Sequence, residues 1–127
     1  PHQKEAFNYG SAFSRGAVIE TGHDLLMEIS GTAAIDEAGR SQYPGDIRGQ
    51  IRCTLERIST LLAQEKATLA DIAAATVFVK KGQYADEFLR IMDDMDYSDF
   101  PGVCVISDIC RDELLFEIDA EAVIRRH

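Results

Sequence analysis

"PGDIRGQIRCTLERISTLL", residues 44–62, is followed by "LADIAAATVFVK", residues 69–80, and the change of period between them decides the fold class. In the first segment Ile47, Ile51, Leu55, Ile58 and Leu62 recur at three- and four-residue steps. That spacing places one apolar stripe along a helix of about 19 residues, with Asp46 set as its N-cap. Arg48, Arg52, Glu56 and Arg57 fall off the stripe and read as solvated. Gly49 costs such a helix roughly 1 kcal/mol against alanine, so it either allows a close approach or is incidental. Thr68 is placed to cap a short turn toward Asp71. The period then drops to two: Ala75, Val77 and Val79 share one face of a strand over 74–80, and Thr76 and Phe78 share the other. Both faces are largely apolar, as in a central strand covered on both sides.

Working outward, a second helix is predicted from about Gln83 to Met95, with Tyr84, Phe88, Ile91 and Met95 as its stripe. "DYSDFPG" ends it, and strands follow over 103–109 and 114–124. Upstream, "SRGAVIETGHDLLMEISG" gives two β-rich runs about the Gly22-His23-Asp24 turn, a hairpin signal. A short strand is expected around Thr32–Ile35, turn chemistry at 37–40, and Pro44-Gly45 closes the loop. Residues 1–11 are polar apart from Phe7 and Tyr9 and read as an arm. The order β-β-(β)-α-β-α-β-β makes one α+β domain over residues 1–127, a mixed sheet with two helices packed on one face. Two helices cover only one sheet face, so the other predicts a subunit interface.

The 127 residues carry a formal net charge of −9, with no basic block longer than two residues, which argues against nucleic-acid binding. No apolar run approaches the roughly 20 residues of a membrane span. No basic-then-apolar N-terminal signal precedes the first strand, so a cytoplasmic location is expected. Cys53, Cys104 and Cys110 have no metal-like spacing, and His2, His23 and His127 are scattered. Neither a metal site nor a cofactor is implied.

Late in the chain, "ICRDELLFEIDAEAVI" at 109–124 puts Glu117, Asp119 and Glu121 on one face of a strand and Phe116, Ile118, Ala120 and Ala122 on the other. The apolar set is expected to face the helices, and the carboxylates a neighbouring subunit.

The chain resembles the Rid (YjgF/YER057c/UK114, "endoribonuclease L-PSP") superfamily. The resemblance rests on "FSRG" at 13–16, "ISGTAAID" at 29–36, the segments at 44–62 and 69–80, and "FPGVCVISDICRDELLFEIDAEAV" at 100–123. It implies the chorismate-mutase-like YjgF fold, a homotrimer with a central barrel of sheets, and small-molecule clefts between subunits. "YGSAFSRG", "SGTAAID", "PGD" and "CRDELLFEIDA" further resemble the C-terminal half of chorismatases, which carry an additional N-terminal domain. Enamine and imine deaminases of the family hold the substrate carboxylate with an arginine in a "P-A-R-S" pattern. The corresponding segment here is Pro101-Gly102-Val103-Cys104, with valine in the arginine's place.

By that resemblance Glu117 is the catalytic candidate, positioning water in deaminases and serving acid/base steps in chorismatases. Against this stands a glutamate simply held by hydrogen bonds at a subunit face. Arg111, in the turn before the last strand, and Arg15, in "FSRG", are the replacements for the missing clamp; each is otherwise a surface arginine. Ser30, Gly31 and Thr32 offer a close backbone approach and amide donors to an anion, or form a bulge. Val103 and Cys104 stand at the clamp position, with core packing the other reading of Cys104. The expected ligand is a small carboxylated metabolite whose enamine, imine or enol-ether bond is hydrolysed by Glu117 and water. A non-catalytic ligand-binding trimer is the alternative, and a ribonuclease or translation inhibitor the third reading.

Overall fold

The computed structural model describes the backbone of residues 2–3, 7–8, 15–21, 24–35, 40–107 and 113–125, and the side chains from residue 24 onward within those ranges. In chain order the elements are β1 (His2–Gln3), β2 (Phe7–Asn8), β3 (Arg15–Thr21), β4 (Asp24–Thr32), α1 (Ile47–Ala63), β5 (Ile72–Val79), α2 (Gly82–Asp94), β6 (Gly102–Ile106) and β7 (Phe116–Arg125). The strands form one sheet in the order β1-β3-β4-β7-β5-β6, with β2 also paired to β3. β5 and β6 are parallel, as the intervening α2 requires, and the other pairings are antiparallel. The expected α+β fold with a mixed sheet is therefore the observed one.

α1 forms where its period placed it. The Asp46 side chain accepts from the Gly49 amide at 3.0 Å, satisfying one of the orphan donors of the first turn. Both helices end the same way, on a left-handed residue that is not glycine. Lys66 (φ 58°) follows α1 and Asp96 (φ 62°) follows α2. The next amides, of Ala67 and Tyr97, reach back to the Leu62 and Met92 carbonyls at 2.9 and 2.7 Å. Between α1 and β5 Thr68 and Asp71 form a capping box on the 3-10 turn Leu69–Asp71.

One core joins the helices to the sheet. Ile51, Leu55, Ile58 and Leu62 of α1 and Phe88, Ile91 and Met92 of α2 pack on Leu25, Met27 and Ile29 of β4, Val77 and Val79 of β5, and Phe116, Ile118, Ala120 and Ala122 of β7. Each large side chain in that layer contributes about 1.5–3 kcal/mol by leaving water. Phe88 anchors the α2 side, edge-on to Phe100 and tilted against Phe116 with ring centroids 5.9 and 5.4 Å apart. Met92 belongs to this layer although the predicted stripe omitted it; Met95 is only partly buried.

Several expectations are corrected. Residues 2–3 and 7–8 are not a free arm but short strands on β3. Thr32 ends β4, and Ile35 makes only an isolated bridge to Ser41, so no separate strand runs over 32–35. A bulge at Ser30-Gly31, where Gly31 takes φ 60°, shifts the register, and pairing with β7 resumes only at Thr32, opposite Ile118, where the strand ends. β6 ends at Ile106, and β7 begins at Phe116. Arg57 is half-buried rather than solvated. Gly49 is a close approach: a Cβ there would lie 2.9 Å from the Tyr43 ring. The hairpin is confirmed by the Thr21–Asp24 pairing, while its turn residues Gly22 and His23 lie outside the described residues.

Candidate functional site

The sheet face without helices carries the site. Alternation along β7 sends Glu117, Asp119 and Glu121 there, because Phe116, Ile118, Ala120 and Ala122 fill the core. Pairing builds the rest of the face in rows. Asp119 stands opposite Thr76, which pairs with Val103; Glu117 stands opposite Phe78, which pairs with Val105; Glu121 stands opposite both Glu28 and Ala74. The face is thus split: acidic over β4 and β7, apolar over β5 and β6. Val103 and Val105 are exposed, as is Ile106 at the strand end.

A cavity of about 530 Å³ opens on this face, with Glu28, Ser30, Thr76, Val103, Asp119 and Glu121 prominent in its wall. Its described lining includes three carboxylates and no basic side chain. Glu117 stands one row beyond that wall, about 7 Å along β7 from Asp119 by strand geometry. Glu117 is half-buried next to Phe78, which packs on Ala33, Ile35 and Leu114. Burial pushes the Glu117 carboxyl above its ordinary value, and the nearby Asp119 charge pushes it the same way. The result is a carboxyl that holds its proton closer to neutral pH than a solvated glutamate does.

Asp119 has a different task. Its Oδ1 accepts from the Gly31 amide at 2.6 Å, a short charge-assisted bond that latches the β4 bulge to β7. The Gly31 amide is therefore committed within the chain, which corrects the expectation that it is available to an anionic ligand.

The remaining candidates separate. Ser30 and Val103 line the cavity. Thr32 does not face solvent: it is fully buried, and its hydroxyl has no hydrogen-bond partner among the described residues. Cys104 packs against the core on the helix side of β6, and burial pushes its thiol up, so little reactive thiolate forms. Arg15 is placed by backbone register alone, opposite Ser30 at the cavity wall. Arg111 lies outside the described residues. Among the described residues no group of three His, Cys, Asp or Glu side chains is placed to hold a metal ion. No described helix is long and apolar enough to cross a membrane.

Glu28 and Thr76 are site residues that the sequence reading missed. The signal for Glu28 was present: Leu25, Met27 and Ile29 alternate with Leu26, Glu28 and Ser30. Counting that alternation against β7 would have put Glu28 beside the carboxylate row.

A family model described as endoribonuclease L-PSP matches residues 4–124. Among solved structures, a chorismatase superposes with a TM-score of 0.74 at 23% identity, over 84% of this chain and 35% of that one. The chain thus spans about a third of the chorismatase's length. A member of the YjgF/YER057c/UK114 family from Mycobacterium tuberculosis superposes at 0.63 with 25% identity, over 91% of this chain and 87% of its own. RidA from the Antarctic bacterium Psychrobacter gives 0.69 at 16% identity, over 84% and 85%. With the match running through every described helix and nearly every strand, this chain belongs to the endoribonuclease L-PSP family, the Rid (YjgF/YER057c/UK114) superfamily.

Proposed function

We propose that the protein assembles as a homotrimer through its helix-free sheet face. In clefts between copies it binds a small carboxylated metabolite and hydrolyses an enamine, imine or enol-ether bond. The observation that supports this reading most is Glu117, a half-buried carboxyl with a raised proton affinity on a sheet face that its own helices leave open. For an enamine, the Glu117 carboxyl gives its proton to the β-carbon, leaving an iminium carbon and a carboxylate. Water adds to that carbon as the carboxylate takes a proton from it, and the carbinolamine collapses to a ketone and ammonia. An enol ether follows the same course through an oxocarbenium and a hemiketal, and releases an alcohol.

The ligand carboxylate is not met by the described cavity wall, which is acidic and has Val103 at the family's arginine position. Its partner is Arg15, whose backbone pairs with Ser30, or Arg111 in the segment before β7. The test is turnover of 2-aminoacrylate, generated in situ, and of chorismate. In the enzyme reading, E117Q lowers kcat/KM by about 100-fold or more. Saturable binding of such carboxylates without turnover gives the second reading, a non-catalytic ligand-binding trimer, which Val103 favours. A monomeric mass by light scattering overturns the assembly.

A further inference from the structure

Gln50 sits on the second turn of α1 and is completely buried. A buried side-chain amide is expensive unless its donors and acceptor are used. Here they are used on two separate segments. Its Nε2 donates to the Tyr43 carbonyl at 3.1 Å and to the Glu113 carbonyl at 2.7 Å, and its Oε1 accepts from the Leu115 amide at 2.8 Å. The bonds to Glu113 and Leu115 grip the backbone on both sides of Leu114, as a neighbouring strand would. From the other direction the Lys80 amide donates to the Leu115 carbonyl at 3.1 Å. Leu114 itself is buried against Ala33, Ile35 and Phe78.

The gripped segment leads directly into β7, and Glu117 is two residues beyond Leu115. Phe78, opposite Glu117, packs on the Leu114 that Gln50 brackets. The bond to Tyr43 draws the loop before α1 to the same point.

We propose that Gln50 is the positioning residue of the Glu117 site: its amide joins α1, the loop before it and the start of β7, and so fixes where Glu117 stands against Phe78. Its bearing on chemistry rests on the catalytic reading of Glu117 given above. Gln50 touches no reacting atom; it acts through the backbone of residues 113–115.

The test compares Q50M, which keeps length and burial but has no amide, with the unmodified protein. Two readouts are taken without substrate, so they are independent of whether Glu117 turns anything over. The first is hydrogen exchange at the Leu115 amide, expected to be slow in the unmodified protein and about tenfold or more faster in Q50M. The second is the titration of the Glu117 carboxyl carbon, assigned by its absence in E117Q. Its midpoint is expected to move down toward the ordinary carboxylate value in Q50M as water reaches a loosened β7 start. Faster Leu115 exchange with an unmoved Glu117 midpoint makes Gln50 merely structural and overturns the proposal. So does rapid Leu115 exchange in the unmodified protein. Should Q50M fail to fold, the milder Q50N, one methylene too short to reach both segments, carries the same two readouts.

Discussion

Phe78 of β5 stands directly opposite Glu117 of β7, and both side chains are half-buried on the sheet face that carries no helix. An aromatic ring beside a carboxyl removes water from it without supplying a hydrogen bond. Desolvation is accordingly the main cause of the raised proton affinity of Glu117, with the Asp119 charge second.

This arrangement has a stability signature. Folding raises the Glu117 pKa, so above the ordinary value of 4.5 the native state binds more protons than the unfolded chain. This contribution therefore falls as pH rises from the unfolded to the folded midpoint, and Glu117 is a net cost at neutral pH. E117Q is expected to be more stable than the parent at pH 7, with the difference shrinking toward pH 4. The gain is under about 1 kcal/mol, because half the group still reaches solvent. Urea unfolding at the two pH values checks both sign and trend.

Turnover should carry the same signature. If the Glu117 proton starts the reaction, kcat/KM falls as pH rises through a midpoint above 4.5. D119A removes the second cause of the shift and moves that midpoint down. The same substitution leaves the Gly31 amide without its acceptor, at a cost of about 1–3 kcal/mol, readable as a lower urea midpoint.

Gly49 offers a test of local propensity against packing. Propensity alone gives G49A a gain of roughly 1 kcal/mol. The added methyl meets the Asp46 carboxylate and the Tyr43 ring, so either the cap or the ring must shift. Loss of the cap costs about 1 kcal/mol and cancels the gain. Thermal unfolding of G49A is expected to show an unchanged or lower Tm.

Val103 is exposed on the cavity wall, so V103R can be accommodated without disturbing the core. An arginine there faces Asp119, Glu28 and Glu121 and is expected to strengthen binding of small carboxylates about tenfold, read by calorimetry. No change in carboxylate affinity would separate this cavity from the ligand site.

Much of the fold was legible because it is written in periods. The stripe from Ile47 to Leu62, the Asp46 cap, the Thr68 cap on the turn toward Asp71 and the alternation of β7 are local, and each was confirmed. The family was legible for a related reason: its motifs are short stretches that keep their order. Less legible were the ends of elements. Residues 32–35 have strand composition, but the ladder decided where β4 stops: past the bulge at Gly31, Thr32 is its last residue paired with β7.

The site was legible only in part. Composition and alternation alone put Glu117, Asp119 and Glu121 on one face. They could not divide the labour among them, because carboxylates two residues apart on one face are set apart by what stands across the ladder. Asp119 is committed to a backbone amide contributed by a residue 88 positions away. Glu117 meets Phe78 instead, and Gln50 reaches from α1 to a segment more than 60 positions downstream. The sequence by itself determined the two helices, the main strands, the core face and the acidic row, since these follow from nearest-neighbour geometry along the chain. The tertiary structure alone decided which carboxylate is latched and which is left to hold a proton, since solvation and hydrogen bonding depend on groups that only folding brings together.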